Sequence, residues 1–456
     1  MTKRNLQFLL MNILIFCLSG SSFSCTNNKA HYATVEDGEN ITKDTVVKSP
    51  QTGNSVSDQK LQEWPCFHGA DRTNKSPETG LLKIWPEGGP KLLWSVSDLG
   101  EGYTSVSIAG GYIYTSGTYD NQSYVFAFDL DGKPVWKKAN GDAWEVEVPW
   151  AKGYDGPRST PTYDNGVVYH LSELNKLTAY NAKNGDIVWT RDLKAEFEAE
   201  MPVYGFTESV LIEGDKLFVK PAGKKGYQAC LNKLTGETLW INKEITGAYG
   251  YNSPVLHNFG GYRQLISASS EGYYGVDTET GKLLWKVNIE NMHDLKCTDA
   301  IAFDDHVFMS TGLGGGSILV RLKSTGDKIV PETVWKTELM DNYHGGVIYH
   351  NGYFYGSGDR SRGWFAIDMK TGKQMWKFPG GMGSITYADN MLYLLDERGT
   401  IRLADATPES FKIAGEFKVP KGGTAPFWSH PVVCGGRLYL RHVNKLFVYD
   451  ISNKDK

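Results

Sequence analysis

Three short stretches of the sequence are nearly identical: "TGETLW" at residues 235–240, "TGKLLW" at residues 280–285 and "TGKQMW" at residues 371–376. Each stretch joins a Thr-Gly turn to a short strand that ends in tryptophan. Asp or Asn stands shortly before each turn, and an alternating strand precedes it, which is the pattern of a β-hairpin. One chain that repeats nearly the same hairpin indicates a repeated structural unit.

The tryptophan of this unit recurs along the whole chain. The positions are Trp94, Trp136, Trp189, Trp240, Trp285, Trp335 and Trp376, with Phe417 in the eighth place. The steps between them are 42, 53, 51, 45, 50, 41 and 41 residues. A period in the forties is the signature of a β-propeller with one four-stranded sheet per blade. A flat ring at a fixed position fills the wedge between neighbouring blades, so we interpret these tryptophans as structural.

Eight first strands can be counted, and they begin near Tyr103, Arg158, Thr207, Tyr251, Cys297, His344, Met382 and Trp428. The last unit holds only three strands before the chain ends. The stretch "GPKLLWSV" around Trp94 supplies the missing fourth strand and closes the ring, which leaves no open sheet edge at the seam. The sequence therefore predicts an all-β, eight-bladed β-propeller of four-stranded antiparallel blades over residues 61–453.

The N-terminus reads as a processing segment. Positive charge in "MTKRN" is followed by the apolar run "LQFLLMNILIFCLSG", which is short for a membrane span and is typical of a secretory signal peptide over residues 1–24. Cys25 follows small residues as in a bacterial lipobox, which predicts its lipidation; the alternative is ordinary cleavage after Ser24. Residues 25–60 are polar and lack hydrophobic periodicity, so we expect a flexible tether. These features predict secretion across the inner membrane and a periplasmic or outer-membrane lipoprotein, held to the membrane through the lipid anchor only.

Charge and cysteine usage narrow the functional classes. A formal net charge of -4 and a pI of about 6.2 give no electrostatic basis for nucleic-acid binding. Four cysteines remain in the predicted folded body, and their spacing specifies neither a disulfide nor a zinc site: Cys66, Cys230, Cys297 and Cys434. We expect them to be small, apolar, buried side chains.

The pattern "D-x-x-T-G-x-x-x-W" resembles the repeat of the pyrroloquinoline quinone (PQQ) family of eight-bladed propellers, from about Trp64 to Ile451. "WPCFHGADRTNKS" is similar to the segment that precedes the first blade in that family, with His68 where the family has arginine. The resemblance implies one of two activities. Some members oxidise alcohols or sugars with bound PQQ and calcium, and others are non-enzymatic, such as the periplasmic lipoprotein that assists barrel assembly. The adjacent cysteine pair and the CxxCH motif of many dehydrogenases are absent from this sequence.

A candidate site follows from comparing one position across the eight units. The residues that begin the first strands are large and varied, and those two positions further on are mostly small, except for Asp299 and His430. First strands line the axis of a propeller, so we expect one funnel there. The ligand-binding candidates are Tyr103, Arg158, Glu208, Tyr251, Asn252, Asp299, His344, Trp428 and His430. Glu208 and Asn252 lie at the position between these two, one residue after the start of a first strand. Nothing in the spacing shows a metal site, and a water-filled channel without a ligand is the alternative.

A long connection at residues 137–158 adds Trp144, Trp150 and Tyr154 beside several carboxylates. Aromatic faces beside carboxylates suit a sugar, and the alternative is a loop folded over the rim with its aromatic residues buried.

Two functions follow from these observations. The first is an envelope-anchored binding or scaffold propeller with a small molecule or glycan in the funnel and an envelope protein as partner. The alternative is a quinoprotein-like oxidoreductase that oxidises an alcohol or sugar with PQQ and a divalent cation. In that case Asp299 is the candidate base and Arg158 the quinone or oxyanion partner, with His344 or His430 sharing proton transfer.

Overall fold

The computed structural model describes residues 62–291, 295–326 and 328–453. The predicted signal peptide at residues 1–24, the lipidation of Cys25 and the tether at residues 25–60 lie outside the described residues. In the described part of the chain, no helix is both long and apolar enough to span a membrane.

The described residues form eight sheets in the predicted β-propeller order. Two strands come before the first blade: β1 (Lys75–Ser76) and β2 (Lys91–Val96). Blade 1 contains β3 (Ser107–Ala109), β4 (Tyr112–Tyr119), β5 (Gln122–Asp129) and β6 (Pro134–Asp142), and a 3₁₀ turn (Pro149–Ala151) follows it. Blade 2 contains β7 (Thr162–Asp164), β8 (Val167–Leu171), β9 (Lys176–Asn181) and β10 (Ile187–Asp192), and α1 (Leu193–Phe197) follows it. Blade 3 contains β11 (Leu211–Glu213), β12 (Lys216–Val219), β13 (Gln228–Asn232) and β14 (Thr238–Asn242).

The remaining blades follow the same order. Blade 4 contains β15 (Val255–Phe259), β16 (Tyr262–Ser269), β17 (Gly272–Asp277) and β18 (Leu283–Asn288). Blade 5 contains β19 (Ile301–Phe303), β20 (His306–Thr311), β21 (Gly316–Thr325) and β22 (Lys328–Thr337). Blade 6 contains β23 (Val347–His350), β24 (Tyr353–Gly358), β25 (Gly363–Asp368) and β26 (Gln374–Phe378). Blade 7 contains β27 (Gly383–Ala388), β28 (Met391–Asp396), β29 (Thr400–Asp405) and β30 (Ile413–Lys418). Blade 8 contains β31 (Val432–Cys434), β32 (Arg437–His442) and β33 (Lys445–Asp450).

The ring closes as predicted. Strand β2 pairs antiparallel with β33, with Trp94 opposite Val448, and so becomes the outer strand of blade 8. Blade 7 differs from the expected four strands, because β1 pairs parallel with β27 and adds a fifth.

The repeated motif stabilises both sides of each blade. A would-be Cβ on the turn glycine Gly281 lies 2.4 Å from the Trp240 ring of the preceding blade, so only glycine allows this contact. Gly236 and Gly372 contact Trp189 and Trp335 in the same way. Several of these indoles also donate Nε1–H to a carbonyl of the following blade, as Trp240 does to Thr278 at 2.9 Å. The glycine therefore faces one neighbouring blade and the tryptophan faces the other.

A β-bulge comes directly before each of these tryptophans, as between Leu283 and Trp285 in blade 4. Bulges re-aim the side chain that follows them. In blade 7 the residue after the bulge is Gly415, and buried Trp85 from the N-terminal segment packs against it. Phe417 lies two residues further on and packs against Gly89. It therefore makes the contact with a glycine that the repeated tryptophans make in other blades.

The segment at residues 64–76, here called the leading segment, crosses the propeller axis. Trp64 pairs with Ile108 of blade 1, and Asn74 donates to the carbonyl of Ile385 in blade 7. Between them, Arg72 donates to the carbonyl of Ser209 at 2.9 Å and to that of Pro254 at 3.3 Å, on the opposite side of the ring. The leading segment therefore closes the central channel beneath the starts of the first strands.

Candidate functional site

The starts of the first strands enclose one cavity of about 120 Å³, here called the funnel. Seven of the nine ligand-binding candidates line it: Tyr103, Arg158, Tyr251, Asp299, His344, Trp428 and His430. Its other lining residues are Phe67, Tyr204, Thr207, Ser209, Ser253, Cys297 and Tyr343. The comparison of strand starts therefore brought together residues that are distant in sequence.

Glu208 and Asn252 do not line the funnel. Both are buried between blades 3 and 4, where Lys220 Nζ lies 3.7 Å from Glu208 Oε2 and donates to the side-chain and backbone oxygens of Asn252 at 3.0 Å. Burial raises the pKa of Glu208 and lowers the pKa of Lys220. Successive residues of a strand point to opposite sides, so the residues at this intermediate position point away from the cavity.

Arg158 provides a positive charge at the funnel wall. Its guanidinium donates to three backbone carbonyls: Tyr204 at 3.1 Å, Gly156 at 3.1 Å and Tyr154 at 2.6 Å. It also lies over the Tyr103 ring at 4.7 Å. No carboxylate of the described residues forms an ion pair with it. Burial lowers the pKa of Arg158, which is the expected effect of an uncompensated charge in a desolvated site.

Trp428 is the centre of the aromatic wall. Its ring centroid lies 5.0 Å from that of Tyr103, 5.1 Å from that of Tyr154 and 5.3 Å from that of His344. Tyr154 comes from the long connection at residues 137–158. In the same connection Trp144 is buried, with Val146 and Ala151, whereas the carboxylates of Asp142, Glu145 and Glu147 are exposed. The connection thus contributes one ring beside the funnel, and the Trp150 side chain lies outside the described part of the structure.

The floor of the funnel is a line of polar side chains. Asp299 Oδ2 lies 3.2 Å from His68 Nδ1, His68 Nε2 lies 3.0 Å from His430 Nδ1, and His430 Nε2 lies 2.8 Å from the carbonyl oxygen of His344. Asp299 Oδ1 accepts from the backbone N–H of Ser253 at 2.7 Å. Burial and the neighbouring His68 hold the pKa of His430 well below its ordinary value. His68 was not among the candidates; its only signal was the departure from the arginine of the resembling family.

His344 presents an unpaired imidazole to the funnel. Both ring nitrogens are buried without a hydrogen-bond partner in the described structure, and burial lowers the pKa of His344 to about 3. Glu397 lies beside it, with Oε1 3.9 Å from His344 Nε2, and accepts a hydrogen bond from Trp428 Nε1. Burial raises the pKa of Glu397. Sequence comparison missed Glu397 because it lies outside the first strands.

The four described cysteines are free thiols, and three of them are buried as expected. Cys297 is the partly exposed one and lines the funnel, where burial raises the pKa of its thiol to about 12. At neutral pH this thiol is therefore protonated and a poor nucleophile.

A family model described as "Outer membrane protein assembly factor BamB", built on the PQQ repeat, matches residues 121–378, more than half of the chain. The chain belongs to this PQQ-repeat β-propeller family. BamB of Salmonella typhimurium is 26% identical over 162 residues, which cover 35% of this chain and 36% of that protein. The quinoprotein alcohol dehydrogenase PedH of Pseudomonas putida is 23% identical over 208 residues, which cover 42% and 32%.

The chain spans about a third of the length of the first curated relatives it matches. Among solved structures, BamB from Moraxella catarrhalis superposes with a TM-score of 0.57 at 15% identity, covering 80% of this chain and 98% of that one. This likeness supports the eight-bladed fold.

The funnel residues do not fit PQQ with calcium. PQQ is a fused three-ring tricarboxylate, whereas the cavity measures about 120 Å³ and Arg158 is the cation that lines it. Calcium takes six to eight oxygen ligands, and Asp299, the carboxylate among the lining residues, already faces His68. Across the described residues, no group of three or more His, Cys, Asp or Glu side chains can hold a metal ion.

Proposed function

We propose that this PQQ-repeat propeller is a non-enzymatic binding protein of the cell envelope, and that its ligand occupies the funnel. One observation carries the proposal: buried polar atoms at the funnel lack partners. Both ring nitrogens of His344 are buried and have no hydrogen-bond partner among the described residues. Buried polar groups are nearly always satisfied in folded proteins, because an unsatisfied one costs about 1–3 kcal/mol. A ligand with hydroxyl or amide groups would satisfy them.

The aromatic wall supports the same proposal. Trp428, Tyr103 and Tyr154 stand close enough to one another to present a continuous apolar surface above the polar floor. Small-molecule sites typically combine such surfaces with a few fixed polar groups. A sugar ring or another small ring with polar substituents matches this combination.

The envelope location and an envelope protein partner rest on different support. The relatives are named as outer membrane protein assembly factors. The predicted signal peptide, the lipidation of Cys25 and the tether are consistent with a propeller held at a membrane surface. In this proposal the tethered propeller presents its funnel or rim to a neighbouring envelope protein.

Calorimetric titration of the purified full chain with a panel of monosaccharides and small ring compounds tests the binding function. We expect saturable binding that Trp428→Ala weakens at least tenfold, since the largest ring of the wall is removed. Trp335→Phe is the matched control, because Trp335 packs between blades 5 and 6 away from the funnel. The proposal fails if no panel member binds, or if Trp428→Ala leaves every affinity unchanged.

A parallel titration with PQQ and Ca²⁺, followed by dye-linked oxidation of alcohols and sugars, separates the proposal from the oxidoreductase alternative. We expect no saturable quenching of tryptophan fluorescence. Saturable quenching together with turnover would establish the quinoprotein function and overturn the proposal.

A further inference from the structure

Arg158 is the uncompensated charge of the funnel. Four ionisable groups other than tyrosine and cysteine line the cavity: Arg158, Asp299, His344 and His430. Asp299 already faces His68 at 3.2 Å, and burial lowers the pKa values of His344 and His430, so both histidines are neutral at pH 7. One full positive charge is left on the wall of a largely apolar cavity.

The guanidinium of Arg158 also retains donors. It has five N–H groups, and three of them donate to the backbone carbonyls of Gly156, Tyr204 and Tyr154. The Nε–H and one Nη2–H have no acceptor among the described residues. These carbonyls fix the plane of the guanidinium, and the Tyr103 ring covers one of its faces. The group is therefore held in place before any ligand arrives.

We infer that the ligand of the funnel is a small organic carboxylate whose anionic group binds Arg158; this inference rests on the proposed binding function. A desolvated cation gains most from an acceptor that is itself charged, because charge-assisted hydrogen bonds are about twice as strong as neutral ones. A carboxylate accepts two N–H bonds from one guanidinium, and two donors remain here. A neutral ligand would leave the charge uncompensated in the apolar cavity.

The cavity limits the size of the ligand to about one ring. A cavity of about 150 Å³ holds benzene, and the funnel measures about 120 Å³, so the funnel leaves no room for more than one ring. The lining aromatic residues Tyr251, Tyr343 and Trp428 would contact such a ring when its carboxylate binds Arg158. A hydroxyl group on the ring would donate to a ring nitrogen of His344, which has no hydrogen-bond partner among the described residues.

Three probes of the same shape and different charge test this inference in the unmodified full chain. They are benzoate, benzamide and benzylammonium, each titrated calorimetrically at low ionic strength. We expect benzoate to bind at least tenfold more tightly than benzamide, and benzylammonium to give no measurable binding. This comparison needs no variant, so a folding defect cannot obscure it.

Arg158→Gln then removes the charge and retains a hydrogen-bonding side chain. We expect benzoate to fall to the affinity of benzamide in this variant and to recover partly in Arg158→Lys. Arg362→Gln is the matched control, because Arg362 is exposed and does not line the funnel. Equal binding of benzoate and benzamide, unaffected by Arg158→Gln, overturns the carboxylate inference and leaves the binding function standing. Absence of binding by all three probes and by the broader panel overturns both.

Discussion

His68 Nε2 lies 3.0 Å from His430 Nδ1, and this contact determines where the protons of the funnel floor reside. His430 Nε2 faces the carbonyl oxygen of His344, so it must carry a hydrogen. A neutral His430 therefore accepts at Nδ1, and His68 must donate from Nε2. His68 Nδ1 faces the Asp299 carboxylate at 3.2 Å. The floor is therefore one line of contacts that runs from Asp299 through His68 and His430 to the carbonyl of His344.

Replacement of Asp299 by Asn should preserve the floor. The Asn amide can donate to His68 Nδ1, so we expect the free energy of unfolding to change by less than about 1 kcal/mol. Asp299→Ala provides no donor, and we expect it to cost about 1–3 kcal/mol more than Asp299→Asn. Urea unfolding of the two variants measures both effects.

The control for these two variants is Asp131→Asn. The Asp131 side chain is exposed, and its one ion pair among the described residues is a long contact, 4.0 Å from Arg437 Nη2. It should change stability by less than about 0.5 kcal/mol. Equal losses of unfolding free energy in Asp299→Asn and Asp299→Ala would contradict this role of the Asp299–His68 contact.

The sequence predicted those site residues that belong to the repeat and missed those that lie outside it. Arg158 and Trp428 stand at equivalent positions of different blades, so aligning the units was enough to bring them to one funnel. His68 and Trp85 lie ahead of the first blade, and no repeat alignment can place them. Glu397 lies in a hairpin turn of blade 7, and its approach to His344 depends on tertiary packing that spacing does not encode.

The turn glycine Gly281 provides a test of the blade interface. Gly281→Ala introduces a Cβ about 2.4 Å from the Trp240 ring, at a φ of +72°. We expect a loss of about 1–2 kcal/mol from the left-handed backbone and a further 1–3 kcal/mol from overpacking. Gly352→Ala is the matched control, since its φ is +84° and no atom lies within 4 Å of the new Cβ. Equal losses of unfolding free energy in the two variants would show that the Gly–Trp contact is not tightly packed.

The buried Lys220–Glu208 pair predicts strong coupling between blades 3 and 4. Both side chains are fully buried, so Lys220→Met leaves an unpaired carboxylate and should cost about 3–5 kcal/mol at pH 7.5. The double variant Lys220→Met/Glu208→Leu should recover most of that loss, because it removes both charges. Thermal and urea unfolding of the two single variants and the double variant give the coupling energy.

The pH dependence of Lys220→Met is a second readout of this pair. Burial raises the pKa of Glu208, so its carboxyl takes up a proton in the folded state at a higher pH than in the unfolded chain. The loss caused by Lys220→Met should therefore shrink as the pH falls from 7.5 to 5. A loss that is independent of pH would mean that the carboxylate is not responsible for it.

His344 predicts how the funnel responds to acid. Its pKa is about 3 in the folded protein and ordinarily 6.5, so between these values the unfolded chain binds a proton that the folded chain does not. Stability should therefore fall as the pH decreases from 6.5, by about 1.4 kcal/mol per pH unit for this residue. His344→Gln removes the titrating group, so the variant should lose about 2 kcal/mol less than the wild type between pH 6.5 and pH 5. Urea unfolding at pH 7.5 isolates the packing effect of the substitution, because His344 is neutral in both states there. Parallel curves for the two proteins from pH 7.5 to pH 5 would mean that the His344 ring accepts a proton in the folded funnel as readily as in water.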